Sequence, residues 1–417
     1  MINCNIISIG DELLVGQVLN TNTTMIASKL TEIGIYVQQN VTIPDNKEDI
    51  LKSLSESYEN FNITIVTGGL GPTNDDITKE CACEFFNCEL IFNQDAYNRL
   101  IENFKDKTEY LTEENKMQAW LPSKCIPLPN LHGTASGMWF ESCDKKRVMT
   151  FLPGVPFETE QLTDNYVVPK LIETFDYSGV KFKTVLTYGC GETIISGILK
   201  EWEMNLPKNV TLAYLPDIGS VRLRVTAYGD NPTENEKIVN QKALELKNLL
   251  SDYFYGFDNE TLPSIIGKIL SENNLTLSIA ESCSGGYLSH LITSIPGSSN
   301  YFKGSVVAYS NQIKEEILKV PSNILNTYGA VSRETVEYMA QNVAHIFKTD
   351  IGIGITGIAG PNSDNTNKKV GTVWIGIYYK GKITTKLYNF RRNRFNNIKR
   401  SSLSSLKLLY NMLNNRD

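Results

Sequence analysis

The residues best suited to chemistry lie in glycine-rich turns between apolar runs and helical patterns. Ala280-Glu281-Ser282-Cys283-Ser284-Gly285-Gly286 ends one such run and opens a helix, a junction where backbone N–H groups can hold an anion beside hydroxyls. Ala308-Tyr309-Ser310-Asn311, with Lys314 in the following turn, and Thr356-Gly357-Ile358-Ala359-Gly360-Pro361 close two further runs, and Gly297-Ser298-Ser299 precedes one. His290 is the only histidine near them, so no Ser-His-Asp triad is legible. A serine paired with a desolvated, neutral lysine hydrolyses without one: the amine takes the hydroxyl proton and backbone N–H groups hold the oxyanion. Each residue also has a plainer reading. Serines beside glycine serve as turn and cap residues, Lys314 as a solvated helix charge, and Cys283, intrinsically the best nucleophile here, as packing.

A second turn, Gly68-Gly69-Leu70-Gly71-Pro72-Thr73-Asn74-Asp75-Asp76, sits between a strand and a helix. Its glycines let backbone approach an anion closely. Equally, it reads as a tight turn with Asp75 or Asp76 as helix N-cap. Gly10-Asp11-Glu12-Leu13-Leu14 and Asp45 add carboxylates at neighbouring strand ends. Several acids beside a phosphate cradle suit Mg²⁺ or a similar hard cation bridging a diphosphate, although at least one is expected to be only a solvated loop charge. Cys81, Cys83 and Cys88 lack a CxxC spacing, and the nearest histidine is His132, so they read as buried thiols rather than zinc ligands.

These turns need strands and helices to place them. Asn3–Ile9, Ile35–Ile43 and Asn62–Thr67 read as strands, and helical patterns at Asn20–Ile33, around Asp49–Tyr58 and from Asp76 alternate with them. That alternation predicts a parallel, three-layer α/β sheet. Further strands are expected at Lys124–Pro129, Gly137–Glu141 and Arg147–Leu152. A small α+β connecting module follows, with a hairpin turn at Asp217-Ile218-Gly219. A second α/β domain begins with strand Leu275–Ala280 and continues through Gly304–Tyr309, Asp350–Thr356, Gly371–Tyr379 and Lys382–Phe390. Ser332 is placed to cap its long helix. The expected domains are 1–175, 176–257 and 258–417.

The 417 residues are 41% hydrophobic and 21% charged, with a net charge of −6. That balance is ordinary for a globular protein and offers no basic field for nucleic acid or anionic lipid. No apolar run is long enough to span a membrane. The N-terminus has no positively charged leader, and the eight cysteines are scattered. A cytoplasmic protein with reduced thiols is expected.

Ile9-Gly10-Asp11-Glu12-Leu13-Leu14, Asn20-Thr21-Asn22, Thr67-Gly68-Gly69-Leu70-Gly71-Pro72-Thr73 with Asp75-Asp76, and Leu152-Pro153-Gly154-Val155-Pro156 resemble the N-terminal half of the CinA family. That half is similar to the MoaB/MogA molybdopterin-binding fold. The resemblance implies a metal-dependent ADP-ribose pyrophosphatase using Mg, Mn or Co. Gly68, Gly69, Gly71 and Thr73 would then contact substrate, and Asp11, Glu12, Asp45, Asp75 and Asp76 the metal. Pro44 stands where the family usually has glycine before the Asp.

From residue 258 onward the turns quoted above, with Gly329-Ala330-Val331-Ser332 and Gly371-Thr372-Val373, resemble the family's PncC-like C-terminal domain. It implies cofactor-free deamidation of nicotinamide mononucleotide to nicotinic acid mononucleotide and ammonia. Carried over by position, Ser299 is the implied nucleophile and Lys314 its base. Ser282, Tyr309 and Thr356 line the pocket, Gly285, Gly286 and Gly357 approach the substrate, and Arg394 holds its phosphate. The sequence departs from the family at Arg391-Arg392, where Pro-Gly is usual, at Asn362-Ser363-Asp364 and at Lys369. Gly189-Cys190-Gly191-Glu192 and Arg222-Leu223-Arg224 match the connecting region. The expected partners are small nucleotides and a second copy of the chain, with no direct nucleic acid and no membrane. Two rival readings stand: a non-catalytic molybdopterin- or nucleotide-binding N-terminal half, or a non-catalytic competence-related partner protein.

Overall fold

The computed structural model describes residues 2–73, 75–105, 112–144, 146–175, 179–363, 368–390 and 392–414, apart from the side chain at 114. They pack as two units, Met1–Phe182 with Ala227–Lys237, and Lys183–Thr226 with Ile238–Asp417.

The first unit contains β1 (Asn3–Ile9), β2 (Tyr36–Ile43), β3 (Ile63–Thr67), β4 (Leu90–Phe92), β5 (Trp120–Pro122), β6 (Ile126–Leu128), β7 (Gly137–Glu141) and β8 (Val148–Leu152). Six form one sheet in the order β2-β1-β3-β8-β7-β6. β2, β1, β3 and β8 are parallel, as the alternating pattern predicts. β7 and β6 run antiparallel, so the sheet is mixed. The links β6–β7 and β7–β8 are too short for the crossover a parallel pair requires. β4 and β5 form a separate antiparallel pair.

Successive strand residues face opposite layers. Ile6, Ile65 and Leu152 pack with Ile26, Leu30 and Leu171, whereas Ile7, Val66 and Phe151 pack with Leu54, Cys81 and Ala82. Helices Thr21–Glu32 and Lys47–Asn60 start where Asn20 and Asn46 accept hydrogen bonds from Thr23 N and Asp49 N, the caps that free helix N–H groups require.

A four-stranded sheet follows, in the order β10-β11-β9-β12. It comprises β9 (Lys181–Tyr188), β10 (Val210–Asp217), β11 (Ser220–Ala227) and β12 (Phe254–Phe257). The two-residue turn Ile218-Gly219, with Gly219 at φ +79°, joins β10 to β11 as expected. β12 is an element the sequence reading did not anticipate, and it pairs antiparallel with β9.

The remaining strands are β13 (Leu277–Glu281), β14 (Phe302–Val307), β15 (Ile351–Gly357), β16 (Thr372–Tyr379) and β17 (Lys382–Asn389), ordered β14-β13-β15-β16-β17. β14, β13 and β15 are parallel, and β16 and β17 continue the sheet antiparallel. Ile279, Ile353 and Ile375 pack with Leu270, Leu406 and Leu409 of helices Leu262–Glu272 and Arg394–Leu413.

Helix Arg333–Phe347 packs against the strands through a stripe of glycines and is capped by Ser332 as predicted. A Cβ at Gly352 would overlap the Ala340 carbonyl oxygen, and one at Gly354 or Gly376 would lie 2.8 or 3.1 Å from that of Val336. At Gly352 and Gly354 only glycine allows so close an approach.

Candidate functional site

In the first unit Ser8 pairs with Thr42 and Thr67, and Thr67 with Leu152, so the loops leaving β1, β2, β3 and β8 share one sheet edge. Ligands of open α/β sheets bind at this edge. Asn20 donates to Ser8 Oγ at 2.8 Å and Asn22 to the Gly154 carbonyl at 2.7 Å, tying the Asn20-Thr21-Asn22 motif to β1 and to the Leu152–Pro156 motif. Gly68 and Gly69 have φ of +103° and +65°, and Cβ atoms there would overlap the Ile9 carbonyl and the Thr78 hydroxyl. Thr73 donates through its N–H, at 3.0 Å, and its hydroxyl to the Asp76 carboxylate, so these two close the turn on each other.

Asp45 accepts from the Asp11 N–H at 3.1 Å. Burial raises its carboxyl above the usual carboxylate range; the Asp11 N–H opposes this, and the charges of Asp11, Glu12 and Asp75 add to it. Among the described residues, however, no three His, Cys, Asp or Glu side chains are placed to hold a metal ion. A hard cation here would be held by one or two of these carboxylates, Asp45 beside Asp11 among them, together with substrate phosphates, and would supply charge neutralisation to a diphosphate.

The second unit gathers most of its predicted residues, but not Ser299, at the carboxyl ends of β13, β14 and β15. A pocket of about 240 Å³ is lined by Ser282, Tyr309, Lys314, Thr356, Gly357 and Arg394, among others. Lys314 lies on helix Asn311–Glu316, which Ser310 caps, and only 1% of it is exposed. Its Nζ donates to Ser282 Oγ at 3.0 Å and to the Ala308 carbonyl at 2.8 Å. Burial pulls the amine down to about 8, so a usable fraction is neutral near physiological pH. Arg394, the first residue of its helix, donates to the Gly360 carbonyl at 2.6 Å and to the Tyr309 hydroxyl at 2.8 Å. Thr356 donates to the Ala330 carbonyl at 2.7 Å. Burial pushes the Cys283 thiol up to about 12, which keeps it protonated and a poor nucleophile, in line with its reading as packing.

Two expectations are corrected. Ser299 is exposed in the short turn Ser298–Asn300 before β14, and its carbonyl accepts from Lys303 at 3.4 Å. The register Leu277↔Phe302 and Glu281↔Val307 puts that turn at the amino end of the parallel strands, whereas Lys314 lies at the carboxyl end. The lysine's hydroxyl partner is therefore Ser282.

The Gly285-Gly286 turn is not an open anion cradle either. Gly285 N–H donates to the Ser282 carbonyl. The carboxylate of fully buried Glu281 accepts from the N–H groups of Gly286, Leu288 and Ser289 and from the Ser289 hydroxyl. An internal anion thus fills the helix N-terminus, a role that the position of Glu281 just before the glycine turn could have suggested. Glu281→Ala is expected to strand these donors and to lower unfolding free energy by about 3 kcal/mol in urea titrations. A loss below about 1 kcal/mol would show that the cap is unimportant. Gly357, by contrast, does line the pocket, and a Cβ there would lie 2.7 Å from the Thr372 carbonyl oxygen. Asp364 and Arg391 lie outside the described residues.

These features define an α/β protein with polar sites at two sets of strand ends and a small sheet module between them in sequence. Residues 5–173 match a model described as a probable molybdopterin binding domain, 182–256 the damage-inducible protein CinA KH domain, and 259–413 the CinA C-terminal domain. A CinA-like protein of Flavobacterium psychrophilum is 43% identical over 411 residues, 97% of each chain. One of Cytophaga hutchinsonii is 41% identical over 412 residues, 99% of this chain and 98% of that one. The crystal structure of the protein CinA from Thermoplasma acidophilum is 30% identical, with a TM-score of 0.36 over 41% of this chain and 95% of that chain. The chain belongs to the CinA family. Among the described residues no helix is long and apolar enough to cross a membrane.

Proposed function

We propose that the C-terminal domain hydrolyses the carboxamide of nicotinamide mononucleotide, with Ser282 as nucleophile and Lys314 as its base. The observation that carries this reading is the buried Lys314 Nζ, 3.0 Å from Ser282 Oγ within a pocket that also holds Arg394. In its neutral form the amine keeps an N–H on the Ala308 carbonyl and accepts the serine proton. Ser282 Oγ then bonds to the amide carbon, and the carbonyl electrons move to oxygen. Collapse of this adduct breaks the C–N bond, and the Lys314 ammonium returns its proton to the departing ammonia. Water, deprotonated by the same amine, cleaves the resulting ester, releases the carboxylate and restores the serine.

Arg394 gives the opposite end of the substrate a planar, two-pronged phosphate ligand once its contacts to Gly360 and Tyr309 yield. Arg394→Ala should therefore raise KM for nicotinamide mononucleotide at least about tenfold and lower kcat much less, because phosphate binding is felt equally in ground and transition states. Steady-state kinetics distinguish this from a fall in kcat alone, which would remove the arginine from substrate binding.

For the N-terminal half, the gathered loops Gly10–Leu14, Asp45 and Gly68–Asp76 support a site for a nucleotide diphosphate, with ADP-ribose the substrate the family resemblance implies. Incubating the purified chain with nicotinamide mononucleotide, and separately with ADP-ribose with and without divalent metals, tests both readings. Release of ammonia but no AMP would leave the N-terminal half a binding module.

A further inference from the structure

A second cavity, of about 560 Å³, lies wholly within the second unit and shares no lining residue with the Ser282 pocket. The ends of β9 and β11 form one side, and β17 with helix Arg394–Leu413 the other. Lys386, Arg392 and Arg400 line it, and none of the three forms an ion pair among the described residues. Two atoms of lining residues, Arg400 Nε and Asn411 Oδ1, are buried with no hydrogen-bond partner among the described residues. Buried polar atoms in native proteins nearly always have one. The first asks for an acceptor, the second for a donor.

Tyr388 and Phe390 stack on each other at 5.4 Å, with 17° between their planes, and Lys386 Nζ lies 5.6 Å from the centre of the Tyr388 ring, so the aromatic wall carries a cation on it. Glu192 and Asp252 also line the cavity, carboxylates of the kind that accept from sugar hydroxyls. A ligand that answers all four features carries an anion, a sugar and a flat aromatic ring. The arginine segment that departs from the family pattern thus serves two places: Arg394 enters the Ser282 pocket and Arg392 this cavity.

We propose that this cavity is a second, non-catalytic site for a nucleoside phosphate, its phosphate held by Arg392, Arg400 and Lys386, which leaves the Tyr388 ring on binding, and its base against the aromatic pair of Tyr388 and Phe390. The site is independent of the deamidase reading, and so is its test. The full-length chain is irradiated with an azido-adenosine diphosphate photoprobe, and the adducts are mapped by mass spectrometry. Attachment is expected in the peptide that contains Tyr388 and Phe390, suppressed by excess ADP and reduced about tenfold in both Arg392→Ala and Lys386→Gln. Both side chains are exposed, so the variants should keep the parent's melting temperature. Labelling confined to other peptides, or labelling of this one that neither substitution weakens, would overturn the proposal.

Discussion

Ser282→Ala and Lys314→Ala are each expected to reduce ammonia release from nicotinamide mononucleotide by roughly a thousandfold, the usual scale for losing a nucleophile or its base. The double variant should be no more than about tenfold worse than either single one, because two groups acting as one unit are lost together. Ser299→Ala should retain nearly full activity, since that serine sits at the other end of the strands. Cys283→Ser should retain most of it, because the thiol is held protonated. In the parent chain kcat/KM should climb with pH through about 8 as the buried amine loses its proton. An inactive Ser299→Ala beside an active Ser282→Ala would reverse the assignment.

The same lysine predicts a large effect on stability. Its amine titrates near 8 when folded, against an ordinary 10.5. Below both values the folded state must desolvate a charge, and stability rises with pH between about 8 and 10.5, where only the unfolded chain stays protonated. Lys314→Met removes that penalty. At pH 7 it should stabilise the chain by about 2 kcal/mol, after allowing for the lost contacts to Ser282 and Ala308, while abolishing deamidation. Near pH 10.5 the gain should vanish. Urea denaturation at the two pH values measures it, and a variant less stable than the parent at pH 7 would show that the lysine's hydrogen bonds outweigh its desolvation.

Much of this architecture is legible in the residues. The Ser332 cap and the helical pattern Asn20–Ile33 place their helices within a residue or two, since local hydrogen bonds and apolar periodicity act over one or two turns. β12 and the β4–β5 pair escape notice because three- and four-residue strands carry too little alternation to stand out, and their partners are distant in sequence.

The Ser282 pocket is legible as a set of strand ends carrying Ser, Tyr, Lys and Thr. The choice of nucleophile is not, because spacing along the chain does not say which hydroxyl meets Lys314. One clue was present. Ser299 precedes its strand, and residues preceding strands lie at the edge opposite to where parallel sheets bind ligands. Gly285-Gly286 misleads for another reason: a glycine turn opening a helix looks the same whether its anion is a substrate or, as here, the Glu281 carboxylate.

The glycine stripe beneath helix Arg333–Phe347 makes one part of the C-terminal domain intolerant of inherited change. Every substitution at Gly352 or Gly354 adds at least a Cβ, which would press within 3 Å of a carbonyl of the helix backbone, and that carbonyl has no rotamer to retreat into. A cavity elsewhere in the core can be refilled by a second substitution nearby; here there is no side chain to trim. Lineages of this chain should therefore drift freely around these positions while Gly352 and Gly354 stand still, and a lesion there would be repaired by reversion rather than by a suppressor.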